Sequence, residues 1–279
     1  MCQFCVQHAE GKKWYLEARN YADDLLSDLR RRHFIADFFA NFDRRAESIR
    51  SGFARLDAAP PPVRRVVSWL VTRKSKRTHF GQVVPIEDVE RILGFLNSIV
   101  RLPCVCRHAN LGREEGYCFG VSMGPQGGEL LGIVNDSWGL GPDTSAFEEL
   151  DKDEALSLMS EFEHDGLLHS VWTFMTPFIG GICNCDRSDC FAMQATVGHD
   201  LKMMWKAEYV AQIDWDACTG CRRCMRLCPF GAIGYSAAMG KCFVDERHCY
   251  GCGICRAACE HQAATLLARS EVPAVANDW

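Results

Sequence analysis

The stretch from Cys218 to Cys259 decides how this chain is read. It runs C-T-G-C-R-R-C-M-R-L-C-P (Cys218, Cys221, Cys224, Cys228, Pro229) and then C-Y-G-C-G-I-C-R-A-A-C (Cys249, Cys252, Cys255, Cys259). Each run has the spacing C-x2-C-x2-C-x3-C. The runs repeat as a unit: every cysteine recurs 31 residues further on, as do Asp214 at Asp245 and Ala232 at Ala263. A repeat of that kind marks a fold with pseudo-twofold symmetry. Pro229 has no counterpart, because Glu260 follows Cys259, so the helix boundary of the second run is less sharply defined.

Two such runs in tandem resemble the dicluster ferredoxins of bacteria, which carry two [4Fe-4S] clusters. In that family the first three cysteines of a run hold one cluster and the fourth reaches the other. The resemblance implies that Cys218, Cys221, Cys224 and Cys259 hold one cluster, and that Cys249, Cys252, Cys255 and Cys228 hold the second. Two-residue gaps let a short loop wrap a cube and aim backbone N–H groups at its sulfides. The three-residue gap sits on a helical turn and points the fourth thiol away. Paired C-x2-C motifs also suit zinc, but four cysteines packed into each of two repeats favour clusters. Between the runs, I-G-Y-S and K-C-F-V-D read as two short strands around Ala237 to Gly240. Cys242, alone on the second, reads as a small buried hydrophobe.

At 279 residues the chain has room for more than one domain, and the paired runs need only its last quarter. The net charge of −5 gives no overall footprint for nucleic acid. No apolar run approaches the ~18 residues of a membrane-spanning helix, and Met1-Cys2 leads straight into polar and charged residues. These features predict a cytoplasmic protein without a signal peptide or transmembrane segment. Seventeen cysteines, clustered at short spacings, read as reduced metal ligands rather than disulfides.

The N-terminus, M-C-Q-F-C-V-Q-H, offers Cys2, Cys5 and His8, three ligand-type residues that would need a fourth from elsewhere to close a tetrahedral site. A flexible terminus with two free thiols is the plain alternative. Asn20 to about Leu56 has helical periodicity, and its aromatic stripe Phe34, Phe38, Phe39 and Phe42 reads as core. Pro60 to Pro62 break that pattern, and Val63, Val66, Val67 and Leu70 fall on one face of a short helix. A basic tract follows, with Arg64, Arg65, Arg73, Lys74, Lys76, Arg77 and His79. It reads as an ordinary solvated face or as a docking surface for an acidic redox partner, with nucleic acid or an anionic membrane surface as further alternatives.

Pro85 to Val100 predicts a helix. It leads to L-P-C-V-C-R (Cys104, Cys106) and then to Cys118 in G-Y-C-F-G. Gly120 to Val134 predicts short strands joined by G-P-Q-G-G, which lacks the lysine of a phosphate loop. Asp151 to Asp165 predicts a helix stopped by Gly166, with His164 and His169 flanking the stop as structural residues. G-I-C-N-C-D-R-S-D-C then adds Cys183, Cys185 and Cys190. Both thiols of a C-x-C pair are expected to face one metal only on a tight loop, in keeping with Pro103, Gly180 and Gly181. The combination of P-C-V-C-R with I-C-N-C is similar to that of iron–sulfur proteins of anaerobes that carry a C-terminal ferredoxin module. That resemblance names a class and no reaction.

The expected fold is α+β. Residues 1–82 form a helical N-terminal region and 83–207 a cysteine-rich α+β domain. Residues 208–270 form a ferredoxin module of the βαββαβ type, and 271–279 a tail. The expected function is electron relay through two [4Fe-4S] clusters to or from a partner oxidoreductase. One alternative is a redox enzyme or activating component whose metal centre lies within 104–190. There Cys104, Cys106, Cys183, Cys185 and Cys190, with Cys118, would hold a further iron–sulfur cluster or zinc. A zinc-bearing structural adaptor is the remaining alternative.

Overall fold

The computed structural model describes residues 11–113, 115–125, 128–138 and 147–278. Cys2, Cys5 and His8 lie outside them. The chain is α+β, as expected. After a series of tight turns from Gly11 to Ser27 come three helices: α1 (Leu29–Ala40), α2 (Phe42–Asp57) and α3 (Pro61–Thr78). The single helical period read across 20–56 is thus interrupted twice. Asp28 caps α1 by accepting the Arg30 N–H at 2.9 Å, and Asn41 breaks the helical φ/ψ before α2. Proline at the start of α3 removes N–H groups that would have no helical partner.

Then follow β1 (Gly81–Val83), α4 (Ile86–Phe95), β2 (Ser98–Leu102), α5 (Val105–Leu111), β3 (Cys118–Ser122), α6 (Gly128–Trp138), β4 (Glu148–Glu149), α7 (Lys152–His164), β5 (Leu168–Thr173), β6 (Ile179–Cys185) and β7 (Met204–Trp205). The strands make one seven-stranded sheet in the order β4-β2-β3-β6-β5-β1-β7, antiparallel except where β1 meets β7. Two expectations are corrected here. The helix predicted over 85–100 stops at Phe95, and Ile99 and Val100 are strand residues of β2. Their apolar spacing serves a buried strand as well as a helix. The second strand expected within 120–134 is the helix α6. Helix α7 begins with a reciprocal cap in which Asp151 and Glu154 satisfy each other's backbone N–H groups, and it stops at Gly166 with φ +91°.

Alternation along the strands divides the sheet into two faces. Phe119, Val121, Val171 and Ile182 point to a core built with Trp14, Phe80 and the inner faces of α4 and α7. The other face carries Cys118, Gly120, Gly181, Cys183 and Cys185, and α1, α2 and α6 lie over it, bringing Phe38, Phe39, Leu130 and Phe174 together. Gly120 and Gly181 are directly opposite each other across β3 and β6, so this face of the sheet is bare at that point.

The C-terminal part is β8 (Tyr209–Ile213), α8 (Arg223–Leu227), β9 (Ile233–Ser236), β10 (Lys241–Val244), α9 (Ile254–Ala257) and β11 (Ala264–Ala268). β9 pairs with β10 and β8 with β11, both antiparallel. The 31-residue repeat is visible in the backbone. Gly220 and Gly251 both have φ +70°, and Arg222 and Gly253 both precede their short helices in the left-handed region. The final residues do not trail freely: Val275 is buried and Lys206 donates to Asp278.

Two glycines set a contrast. A Cβ at Gly251 would lie 2.1 Å from the Tyr209 carbonyl oxygen, whereas one at Gly52, inside α2, meets nothing within 4 Å. Gly251→Ala should therefore destabilise the protein by more than ~1 kcal/mol, and Gly52→Ala should stabilise it by roughly 0.5–1 kcal/mol. Anaerobic denaturant unfolding followed by circular dichroism measures both.

Candidate iron–sulfur sites

In the C-terminal part the eight cysteines of the two runs fall into two groups, each drawn from both runs. Cys218, Cys221, Cys224 and Cys259 line one small cavity, joined by Cys242. Cys228, Cys249, Cys252 and Cys255 line another. The short helices α8 and α9 produce this exchange by carrying Cys228 and Cys259 from their own loop to the opposite one. Backbone N–H groups point at sulfur in symmetric pairs. Ala232 donates to Cys228 Sγ and Ala263 to Cys259 Sγ, each at 3.3 Å, and Ala211 and Gly251 both donate to Cys249 Sγ at 3.4 Å. Such donors stabilise sulfur that carries negative charge.

The polar groups around these thiols fit an anionic cluster. Arg269 is fully buried and donates to the carbonyls of Ala207, Tyr209 and Cys249 at 2.8–3.0 Å. Its Nη1 has no hydrogen-bond partner among the described residues. A buried cation beside Cys249 calls for compensating negative charge; Glu208 and Asp278 supply part of it, and thiolates around a metal–sulfide core would add the rest. Burial first, and neighbouring cysteines after it, push the thiols of Cys224 and Cys255 up to about 12, so a bound metal would have to displace their protons. Cys242 is indeed buried, yet it is more than a hydrophobe: its thiol adjoins those of Cys218 and Cys224. Cys221 is exposed, and Arg222, Arg223 and Arg226 around it are exposed too.

The six cysteines of the larger domain also come together. Their side chains form a closed ring of neighbours: Cys104–Cys106–Cys190–Cys185–Cys183–Cys118 and back to Cys104. The Cys183 and Cys118 sulfurs are 3.6 Å apart, because those residues are directly opposite each other in the β3–β6 ladder. Cys183 and Cys185 share a face through strand periodicity and not through a tight loop, which corrects the expectation for C-x-C. Cys104 and Cys106 stand at the start of α5, and Cys190 ends a loop in which Asp186 accepts the Asp189 N–H at 2.7 Å. Arg107 joins the two loops. It is buried, lies 3.9 Å over the Tyr117 ring, and pairs with Asp186 and Asp189.

Crowding polarises these thiols. Hydrogen bonds from Cys106 and Cys118 hold Cys104 well below the usual thiol range, and hydrogen bonds from Cys106 and Cys185 do the same for Cys190. Cys106 is driven up by its hydrogen bond to Cys104, and Cys183 by its hydrogen bond to Cys118. Behind Cys185, the buried Ser170 hydroxyl lies 3.6 Å from the sulfur and accepts the Trp172 indole N–H at 2.9 Å. Ser170 was missed in the sequence because only the β5–β6 register brings it there. Among the described residues, no group of three His, Cys, Asp or Glu side chains is arranged to hold a single metal ion.

His79 leaves the basic tract. It is packed against Phe38, Trp172 and Phe174 at the end of α3, and burial lowers its pKa to about 4. The remaining basic residues stay on α3, whose Val63, Val66, Trp69 and Leu70 are exposed. His164 Nδ1 contacts the Ser160 carbonyl, and buried His169 contacts Asn184. These contacts fit the structural roles expected of them.

Residues 211–234, which hold the first cysteine run, match the model of the 4Fe-4S binding domain and form a ferredoxin-like iron–sulfur segment. Over 58 residues the chain is 38% identical to the uncharacterized ferredoxin-like protein YdhY of Escherichia coli (strain K12), covering 20% of this chain and 28% of that protein. Over 59 residues it is 32% identical to the archaeal-type glutamate synthase (NADPH) of Thermotoga sp. (strain RQ2), covering 21% of this chain and 12% of that enzyme. Less than a third of either relative is matched, and no helix among the described residues is long and apolar enough to cross a membrane.

Glu163 joins the module to the larger domain. It lies in α7 beside Arg256, and a Cβ on Gly253 would come within 2.8 Å of its Oε1. Burial raises its pKa to about 7 from 4.5. The folded protein therefore binds a proton that the unfolded chain releases, and stability falls as pH rises from about 4.5 to 7. Glu163→Gln should remove that decline and exceed the wild type by roughly 1–3 kcal/mol above neutrality. Unfolding curves of both proteins at acid and alkaline pH test this.

Proposed function

We propose that this chain is an electron-transfer protein in which two [4Fe-4S] clusters relay electrons between a partner oxidoreductase and the larger domain. The observation that carries this reading is the sorting of eight cysteines into two cavities, each lined by three thiols of one run and the fourth of the other. Cys218, Cys221, Cys224 and Cys259 would hold the first cluster, and Cys249, Cys252, Cys255 and Cys228 the second. When bound, the clusters supply one-electron exchange at a potential set by hydrogen bonds to sulfur, burial and net charge. The chain's own contribution is to fix these terms. The paired N–H donors stabilise added negative charge, Arg269 offsets it, and the apolar packing excludes water.

The two sites differ in exposure. Cys221 reaches solvent, whereas Cys252 is buried against Ile254 and Tyr250 and shares a packed cluster with Cys185 and Cys190. Electrons pass between the surface at Cys221 and the interior at Cys252. The partner presents an acidic face, met by Arg222, Arg223 and Arg226 beside Cys221, with the Arg64–Arg77 tract of α3 as a second contact. The 4Fe-4S family match and the ferredoxin-like relatives support this reading. The NADPH glutamate synthase is a larger oxidoreductase that carries a comparable segment, which supports a role for the module inside a redox system.

Crossed ligation makes the test specific. Cys228→Ser in the full chain should damage the cluster of the second run and leave that of the first closer to normal. EPR spectra of the reduced, anaerobically purified protein distinguish the two, and damage confined to the first run's cluster would refute the assignment.

A further inference from the structure

We propose that the six thiols of the larger domain hold a third iron–sulfur centre, and that this centre forms the floor of a pocket for an uncharged, largely apolar organic molecule. The proposal rests on the reading of the chain as an iron–sulfur electron carrier.

The ring is built as a site. Its sulfurs come from four places in the chain: the start of α5, β3, β6 and the loop before Phe191. A sheet register and the buried Arg107 clamp hold them together. Thiolates so close together repel unless a cation or cluster lies among them. Six donors exceed the tetrahedron of one zinc ion. The six line one cavity, as the cysteines of the ferredoxin part line two, and thiols set around a space suit a polynuclear centre. Packed side chains join the ring to Cys252 through Cys185 and Cys190, so water does not separate it from the second cluster site.

All six cysteines lie on the wall of one cavity of about 890 Å³. That is within the size range of small-molecule sites, about 300–1,000 Å³. Gly120 and Gly181 leave the sheet bare at its base, and the facing wall is Phe34, Phe38, Phe39, Phe42 and Phe53 from α1 and α2. The ionic groups on the wall are committed elsewhere: Arg45 pairs with Asp37, and Asp189 with Arg107. Lys74 sits at the exposed rim. His79 faces the Thr173 carbonyl through Nδ1 at 2.6 Å, so that nitrogen carries the proton and Nε2 keeps a free lone pair. Such a wall favours apolar rings, with His79, Ser48, Thr78 and Asn184 among its neutral polar groups.

Full-length protein, purified and reconstituted without oxygen, should carry more than about eight irons per chain with matching sulfide. Cys185→Ser combined with Cys190→Ser should lose only the excess. A count of about eight irons that the double substitution leaves unchanged sinks the third centre. A fall from about eight irons to four would instead keep the third centre and remove one of the ferredoxin clusters. Zinc bound without the extra iron turns the ring into a zinc site and overturns its iron–sulfur identity. Excess iron that survives the double substitution places the centre elsewhere. Cys118→Ser is counted alongside as a second ring variant that decides if the double substitution unfolds, and iron that it leaves unchanged overturns the assignment.

The pocket is tested by equilibrium dialysis of the same protein against N-phenyl-1-naphthylamine, an uncharged apolar probe. The wild type should bind it, and Gly52→Phe, which projects a ring into the open space at that wall, should weaken binding roughly tenfold. Val66→Ser, on the exposed face of α3, should not change it. No binding by the wild type, or equal binding by Gly52→Phe, overturns the pocket.

Discussion

Negative charge on crowded sulfur is the constraint around which this molecule is arranged. Fifteen described cysteines are free thiols, and all fifteen fall into two groups in the C-terminal part and one ring in the larger domain. Bringing such groups together beneath packed side chains is unfavourable unless each finds compensation. The fold answers with backbone N–H groups directed at sulfur, with the buried Arg269 beside Cys249, and with Arg107 clamped beside Cys104. Even Ser170, beneath Cys185, contributes a hydroxyl where a strand would ordinarily carry an apolar side chain.

The two kinds of thiol group are built by different physics. In the ferredoxin part the ligand loops are local, and positive-φ positions such as Gly220 and Gly251 let each loop turn closely against a neighbouring carbonyl. In the larger domain the ring depends on long-range strand pairing, with Cys118 meeting Cys183 across the β3–β6 ladder. Local loops can form with little else in place, whereas a register-dependent ring requires the whole sheet. The two parts are also fastened to each other. Arg256 of α9 pairs with Glu87 of α4, and Tyr209 of β8 donates to Asp88 at 3.0 Å.

That difference explains what could be read from the amino-acid sequence. The α+β class and the ferredoxin-like module were legible because spacing and a 31-residue repeat encode them locally. The strands around Ala237–Gly240 were legible for the same reason, as β9 and β10. Less visible were features that depend on distant partners. The stripe Phe34, Phe38, Phe39 and Phe42 reads as core, and it is packed as core, but its other side walls a cavity. Helical spacing cannot tell a filled neighbour from an empty one. His79 reads as part of a charged tract because its aromatic cage comes from β5 and α1. The helix α6 was hidden behind glycines that suit a turn, and the end of α4 behind apolar residues that belong to β2.

The exposure of Cys221 carries a consequence for how such a protein survives. The first run's site is open at one edge, while Cys249, Cys252 and Cys255 are sealed within the fold. On the electron-transfer reading proposed above, the opening that would let a partner approach within tunnelling range would admit dissolved oxygen equally well. Oxidative damage would start at Cys221 and proceed inward, so the surface site acts as a sacrificial outpost for the buried ones. A bound partner covering that edge would be a shield as well as a conduit, and the working lifetime of the protein in air would lengthen with the fraction of time it spends docked.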